Sequence, residues 1–225
     1  MELDFKNIGD QEIAKVREAT INKETMVFSC NVVTREIEEN FQSILVAFLT
    51  TSEQTHLFSL LSYCTLELLS NANKANAKRV YFKEQNLNIE NEKEYSCGME
   101  NFKNALSENK NHYMSSMDDS ILKLTLSIND ELLTVQVSNN TKITPFEYKR
   151  IQDKIGMAKK YKNMEEALSC VDQTEGSGLG LIITVLMLKE LGLDESNLKF
   201  ETTDTETIVS VVLPLMQPIQ PLDDL

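Results

Sequence analysis

The sequence predicts an α/β protein, because segments with the two-residue alternation of β-strands lie between longer segments with helical spacing. Two hairpins are indicated, one by residues 121–128 and 132–137 and the other by residues 198–202 and 207–213. A third observation is a set of alternating glycines that leads directly into an apolar helix within residues 175–191. Together these features favour a mixed α/β domain.

Composition and charge limit the classes of function. The chain has 225 residues, of which 41% are hydrophobic and 25% charged, so it is long enough for one well-packed core. Its formal net charge of −13 argues against binding to nucleic acid or an anionic membrane, since such proteins carry a basic surface. The start of the chain lacks a signal-peptide pattern, and no apolar run is long enough to span a membrane. We therefore expect a cytoplasmic protein without a nucleic-acid or membrane partner.

Cysteine and histidine usage argues against zinc and against histidine-based hydrolysis. The cysteines and histidines are Cys30, Cys64, Cys97, Cys170, His56 and His112. The cysteines are widely spaced, which is typical of reduced, mainly structural thiols. Two isolated histidines do not suggest a catalytic triad, so a metal ion would be held by oxygen ligands.

The first part of the chain reads as a strand followed by helices. Residues 1–24 indicate a polar helical lead-in, and residues 25–33 alternate as a strand does. Thr34 can cap a helix whose apolar residues recur at helical spacing up to residue 49. Residues 53–77 then predict a long, well-buried helix.

Three polar residues of this long helix lie at offsets of four and three. Glu67, Asn71 and Lys74 therefore share one flank of the helix. Carboxylate and amide oxygens one turn apart can face a hydrated magnesium ion or the water beside it. The alternative is an ordinary solvent-facing strip of an amphipathic helix.

The next segment is polar and carries no recognisable chemistry. Residues 78–84 predict a short edge strand or a helix exit, and residues 85–120 predict a polar insertion with a helix near residues 99–109. His112 and Tyr113 are predicted to be surface residues rather than ligands.

Polar residues also follow the first hairpin. Residues 138–141 can either cap the backbone or face a ligand. Residues 145–169 predict a helical, unusually basic segment, which is either a phosphate or partner surface or a solvated helix face. The tail, residues 216–225, is predicted to be disordered or held on the surface, with a docking peptide as the less favoured alternative.

The glycine-rich turn is the strongest local signal. Gly176, Gly178 and Gly180 precede an apolar helix, and a helix N-terminus offers free N–H groups and a positive dipole end to a phosphate. The alternative is a plain turn at a close backbone approach. The P-loop pattern is absent because Leu181 follows Gly180, and the Rossmann pattern requires a strand immediately before the glycines.

The order of these segments and two of their strings resemble the GHKL, or Bergerat-fold, ATP-binding domain of gyrase-type topoisomerases, heat-shock chaperones, histidine kinases and mismatch-repair proteins. Residues 67–74, ELLSNANK, resemble the N box of that family, and residues 176–181, GSGLGL, resemble its second glycine box. Thr207, with the glutamate before it, is similar to the family's Gly-Thr pair. The resemblance covers residues 25–215, within which residues 142–175 would form the ATP lid. It implies an α+β two-layer sandwich with a mixed, mainly antiparallel sheet and helices packed on one face.

The resemblance also implies site residues, with Mg²⁺ and ATP as cofactors. Asn71 would be the magnesium ligand, Glu67 would stand where members that hydrolyse ATP orient or activate water, and Asn139 would accept a hydrogen bond from the adenine amine. The residues implied to contact the nucleotide are Asn71, Lys74, Asn139, Thr141, Gly176, Gly178, Leu179, Gly180 and Thr207.

The sequence departs from the family in its first glycine box. Asn139 and Thr141 stand in a segment without glycine, where the family has Asp-x-Gly-x-Gly. An asparagine oxygen still accepts from adenine, but the bond is weaker by about 1 kcal/mol because the acceptor is uncharged. The insertion of residues 85–120 is a second departure.

The expected function is that of a signalling module that binds Mg-ATP. His56 lies in the N-box helix without the context of a phospho-accepting histidine, so autokinase activity is not expected. The compact strand–helix–helix opening with Glu67 instead resembles the anti-sigma-factor serine kinases. Those are single-domain proteins that bind one protein partner and phosphorylate another, and a homodimer is compatible with this layout. The expectation is a protein kinase, an ATPase or an anti-sigma-like regulator, and the alternative is a protein-interaction scaffold that has lost catalysis. A third reading is an α/β protein with a coincidental glycine turn, in which Glu67 and Asn71 would face away from the glycines.

Overall fold

The computed structural model describes residues 1–170 and 178–215. The strands are β1 (Glu2–Asp4), β2 (Met26–Cys30), β3 (Leu122–Ile128), β4 (Leu132–Asn139), β5 (Leu198–Thr202) and β6 (Thr207–Pro214). The helices are α1 (Asp10–Ile21), α2 (Arg35–Thr51), α3 (Phe58–Glu84), α4 (Glu92–Glu108), α5 (Lys110–Ser115), α6 (Pro145–Ala158), α7 (Met164–Cys170) and α8 (Leu179–Glu190). Short 3₁₀ turns precede α3 and β5.

The strands form one six-stranded sheet in the order β1-β2-β3-β4-β6-β5. The β1–β2 pair is parallel and the other four pairs are antiparallel. The predicted class, an α+β sandwich with a mixed, mainly antiparallel sheet, is confirmed. Both predicted hairpins are present, as β3–β4 and β5–β6.

The register of the sheet separates a buried face from a polar face. Phe28 lies opposite Leu124, which lies opposite Val137, and this row belongs to the hydrophobic core. Lys123 and Thr125 point the other way and are partly exposed. Because side chains alternate along a strand, the helices need to cover only the apolar face.

The starts of α2 and α6 show how the sequence fixes the helix boundaries. The Thr34 side chain accepts a hydrogen bond from the Ile37 amide at 3.3 Å, as predicted for an N-cap. Helix α6 begins with Pro145, and Thr144 and Glu147 form a reciprocal capping box. The basic segment predicted to be helical is confirmed, as α6 and α7.

The lead-in contains the predicted helix α1 and also a strand that the sequence analysis did not predict. Strand β1 pairs with β2 through Leu3 and Phe28. Phe5, Val16 and Ala19 of the lead-in belong to the main hydrophobic core. The lead-in therefore completes the edge of the sheet.

The insertion is more ordered than predicted. Helix α3 continues to Glu84, so residues 78–84 are helical and the edge-strand alternative is wrong. Helices α4 and α5 pack against its last turns through a second hydrophobic cluster, which we call the aromatic cluster. Its members are Ala77, Tyr81, Phe82, Tyr95, Phe102, Tyr113 and Met117.

The predicted surface position of Tyr113 is wrong. Tyr113 is only 4% exposed, and its ring lies 6.2 Å from that of Tyr81. Its neighbour His112 is exposed, as predicted, and its Nε2 lies 2.8 Å from Glu84 Oε1. The spacing of the aromatic residues in the insertion could have indicated that Tyr113 is buried. The many polar residues between them hid that pattern.

Cys30, Cys64, Cys97 and Cys170 are all free thiols. Burial raises the pKa of both Cys30 and Cys64 to about 11, which keeps these thiols protonated and supports a structural role. Within residues 1–170 and 178–215, no helix is long and apolar enough to cross a membrane.

Candidate functional site

The long helix α3 and the start of α8 meet at two of the predicted residues. The Asn71 amide donates a hydrogen bond to Glu67 Oε1 at 3.0 Å. The Glu67 carboxyl group lies directly against Gly180, so closely that a Cβ atom at position 180 would overlap it. Two segments more than a hundred residues apart in sequence therefore form one contact. Glu67 faces Gly180, contrary to what a coincidental turn predicts.

The geometry at the start of α8 depends on glycine. Gly178 is the N-cap and has φ of 79°, in the left-handed region that favours glycine. A Cβ atom there would also lie 2.9 Å from Cε of Lys154 in helix α6. Gly176 lies outside the described residues.

Helix α8 is held rigidly behind this turn. Its buried residues, including Leu181, Ile182 and Val185, belong to the main core. The Thr184 hydroxyl donates to the Gly180 carbonyl at 3.0 Å. The first amides of α8, which begins at Leu179, are therefore fixed relative to Glu67 on α3.

Two lysines lie around this end of the site, beside the Glu67 carboxylate that contacts Gly180. Lys154 lays its aliphatic stem across Gly178, which brings a cation to the positive end of the α8 dipole. Lys74 is partly exposed on the same flank of α3 as Asn71. Two lysines and a helix N-terminus form the kind of setting that binds phosphate groups.

The residues present fit a magnesium ion that is shared with a phosphate. Asn71 is exposed and turns its nitrogen towards Glu67, which leaves Oδ1 as the atom that can bind a cation. In the described part of the chain, no group of three or more His, Cys, Asp or Glu side chains could hold a metal. Magnesium commonly takes one or two protein oxygens and completes its shell with phosphates and water, so a single side-chain ligand is compatible with it.

A second group of predicted residues meets beyond the next turn of α3. The Asn139 amide nitrogen donates to Asn76 Oδ1 at 2.9 Å and to the Thr141 hydroxyl. The Thr141 hydroxyl also lies 3.4 Å from Asn76 Oδ1. The Thr207 hydroxyl donates to the Thr141 carbonyl at 2.6 Å, and Asn139 and Thr207 are partners in the β4–β6 pair.

Helix α3 links the two groups. Asn71 and Asn76 are five residues apart, which corresponds to about 8 Å along a helix axis. Five residues also rotate a helix by about 140°, so the phosphate-like end, at Glu67, Asn71 and Gly180, and the polar end, at Asn139 and Asn76, lie on different faces of α3.

A buried ion cluster holds the start of the predicted lid against α3. Glu147 of α6 is 9% exposed and accepts hydrogen bonds from Lys78 at 2.7 Å and from both terminal nitrogens of Arg79 at 2.6 and 2.7 Å. Arg79 also donates to the Lys142 carbonyl at 2.7 Å. Burial alone would raise the pKa of Glu147, but the hydrogen bonds and charges of Arg79 and Lys78 lower it to about 2.

Sequence reasoning missed Asn76 and the Glu147 cluster, whereas Lys154 belongs to the basic segment that was predicted as a phosphate or partner surface. The capping box from Thr144 to Glu147 was readable, because Ser or Thr followed three residues later by Glu is a known helix-start pattern. The pairing of Glu147 with α3 could not be predicted from the sequence, since it joins residues almost seventy positions apart. No sequence pattern marked Asn76 as a site residue, because it lies off the flank of α3 that carries Glu67 and Asn71.

Comparisons with known proteins give one similarity. An uncharacterized protein of Treponema pallidum (strain Nichols) is 36% identical over 209 residues, which is 92% of this chain and 41% of that protein. The chain therefore spans about two fifths of the length of this relative. No family model and no solved structure matches the chain.

Proposed function

We propose that this chain is a cytoplasmic nucleotide-binding signalling module of the GHKL, or Bergerat-fold, type. It binds Mg-ATP between α3, the lid formed by α6 and α7, and the start of α8. The observation that carries this proposal is the contact of Glu67 with Gly180, because it joins the two motifs that the resemblance requires to act together. The hydrogen bond from Asn71 to Glu67 supports it.

Each part of the site has a role in this proposal. Asn71 Oδ1 binds the magnesium ion, which neutralises charge on the phosphates when bound. The amides at the start of α8, with Lys74 and Lys154, hold the phosphate oxygens. Asn139, Thr141 and Thr207 form the end of the site that receives the base.

Glu67 is the group that we assign to the chemical step. Its carboxylate accepts a hydrogen bond from the attacking hydroxyl or water, orients it towards the terminal phosphate and takes its proton, while ADP is the leaving group. The amide of Asn71 holds this carboxylate in place at 3.0 Å. The acceptor is either a protein hydroxyl, as for a protein kinase, or water, as for an ATPase.

A partner protein is part of the proposal. The exposed face of the lid carries Lys149, Arg150 and Lys160, in a protein with a net charge of −13. This local reversal of charge suits an acidic segment of a signalling partner, since complementary charge speeds association.

A second candidate function is a protein-interaction scaffold without catalysis. The observation that favours it is the engagement of Asn139 with Asn76 and Thr141 in place of the family's aspartate and glycines. In this case the fold presents the lid and the insertion to partners, and no phosphate is transferred.

Replacement of Glu67 separates the two functions. We expect Glu67→Gln to bind ATP as the wild type does and to lose phosphate release or transfer by about 100-fold or more, because glutamine cannot act as a base. The measurement is phosphate release together with ATP titration, and Glu100→Gln on the exposed face of α4 is the control. Equal turnover by Glu67→Gln and wild type would contradict the catalytic role. If the wild-type protein binds ATP but shows no turnover, the scaffold function is favoured.

A further inference from the structure

Three polar side chains at the base end of the site form a closed hydrogen-bonded triangle. Asn139 donates from Nδ2 to both Asn76 Oδ1 and the Thr141 hydroxyl, and that hydroxyl can donate to Asn76 Oδ1. Both protons of Asn139 Nδ2 and the oxygen of Asn76 are therefore used within the triangle. What remains is one acceptor, Asn139 Oδ1, and one donor group, Asn76 Nδ2.

The remaining donor is buried and has no partner. Asn76 is 1% exposed, and its Nδ2 makes no hydrogen bond to any residue in the described part of the chain. A buried amide left in this state costs about 1–3 kcal/mol. An unpaired buried group of this kind requires an explanation, and a ligand that supplies the missing acceptor is one.

The direction of the hydrogen bonds in the triangle can be reversed. If both amides rotate by half a turn, Asn76 donates to Asn139 and the Thr141 hydroxyl reverses its direction, so that every bond within the triangle is kept. The free donor is then on Asn139 and the free acceptor is on Asn76. The triangle therefore offers a donor and an acceptor in either order, which a carboxylate at position 139 could not do.

The two orders correspond to two kinds of purine. Adenine presents a donor at its 6-amino group and an acceptor at the neighbouring N1, whereas a 6-oxopurine presents an acceptor at O6 and a donor at N1. The positions of these atoms are the same and only the direction of the hydrogen bonds differs. One placement of the base can satisfy either purine.

We propose that Asn76 and Asn139 together read the base and that the site accepts 6-oxopurine nucleotides as well as adenine nucleotides. Asn76 is a specificity-determining residue in this account. The inference rests on the proposed nucleotide function and adds the class of base to it. Asn76 Nδ2 is shielded from solvent, so the base reaches it when the side chains that cover it move aside.

The test compares ATP with inosine triphosphate, which differs from ATP only at position 6 and at N1 of the base. For the wild-type protein, titration calorimetry with magnesium should give dissociation constants within about tenfold of each other. A preference for either nucleotide above about 100-fold would overturn the inference and leave the proposed function standing. Binding of neither nucleotide would overturn both.

A variant tests the role of the amides directly. Asn139→Asp places a carboxylate opposite position 6 of the base, and Asn76 then donates to that carboxylate. The site offers two acceptors and matches neither purine fully, so we expect affinity for both ATP and inosine triphosphate to fall by about tenfold or more. Asn104→Asp, on the exposed face of α4, is the control for the added charge. Unchanged affinity for both nucleotides in a folded Asn139→Asp protein, checked by circular dichroism, would contradict base recognition at this residue. The wild-type ratio decides the question if this variant does not fold.

Discussion

Gly180 shows how a single residue sets the distance between two motifs. A side chain at this position would occupy the space of the Glu67 carboxyl group. The carboxyl group is the far end of a flexible side chain, so it would swing away rather than unfold the protein. Glycine here therefore serves the placement of Glu67 more than the stability of α8.

Replacement of Gly180 by alanine should separate function from stability. We expect Gly180→Ala to change the unfolding free energy by less than about 1 kcal/mol, because alanine is favoured over glycine within a helix by a similar amount. The displaced carboxyl group should lose its bond from Asn71, and affinity for Mg-ATP should fall by about tenfold or more. Thermal denaturation and ATP titration measure the two effects.

The matched control is Gly156→Ala, which adds a methyl group to a helix where nothing lies within 4 Å. It should leave ATP affinity unchanged. Unchanged affinity in Gly180→Ala as well would show that the contact between Glu67 and Gly180 has no role in binding.

At the scale of the elements, helix α6 is fixed at both ends. Glu147 joins its first turn to Lys78 and Arg79 of α3, and Lys189 of α8 donates to the Ala158 carbonyl at its last turn at 3.1 Å. The lid helix is therefore docked on the two helices that carry the site. A change at either end should alter the position of α6 relative to α3 and α8.

Replacement of Glu147 should be costly and dependent on pH. Glu147→Gln leaves Lys78 and Arg79 without a buried counter-charge, so we expect a loss of about 3 kcal/mol of unfolding free energy at neutral pH. The pKa of Glu147 is lowered by folding, from an ordinary value of 4.5 to about 2. Its contribution is therefore fully present above pH 4.5 and is lost as the pH falls towards about 2.

Urea denaturation of wild type and Glu147→Gln across this pH range measures the effect. The difference between the two proteins should shrink as the pH falls, because protonated glutamate resembles glutamine. Glu100→Gln, at an exposed position, should show no such difference. A difference that stays constant from pH 7 to about pH 2 would contradict the assigned ion cluster.

The elements were more predictable from sequence than their contacts. The hairpins, the Thr34 cap and the apolar helix α8 followed from periodicity and capping, which are local properties. The strand β1 was missed because three residues give no period, and the order of the insertion was missed because its aromatic residues are diluted by polar ones. The carboxylate of Glu67 could be placed on a helix flank, but its contact with Gly180 depends on tertiary packing.

At the scale of the whole molecule, one sheet and one long helix organise both ends of the site. Strands β4 and β6 bring Asn139 and Thr207 together, and α3 carries Glu67, Asn71 and Asn76 past them. The relative from Treponema pallidum extends well beyond the region of similarity, since the chain covers 41% of it. The nucleotide proposal concerns this chain alone, which matches about two fifths of that relative.

The most direct test of the central proposal is a calorimetric titration with ATP, with and without magnesium, of wild type and of Asn71→Ala. Asn101→Ala, on the exposed face of α4, is the control. We predict micromolar binding that requires magnesium, is unchanged in the control and is weakened by about tenfold or more in Asn71→Ala, because the metal loses its protein ligand. No heat and no thermal shift at millimolar ATP, or equal magnesium-dependent binding by Asn71→Ala, would contradict the proposal.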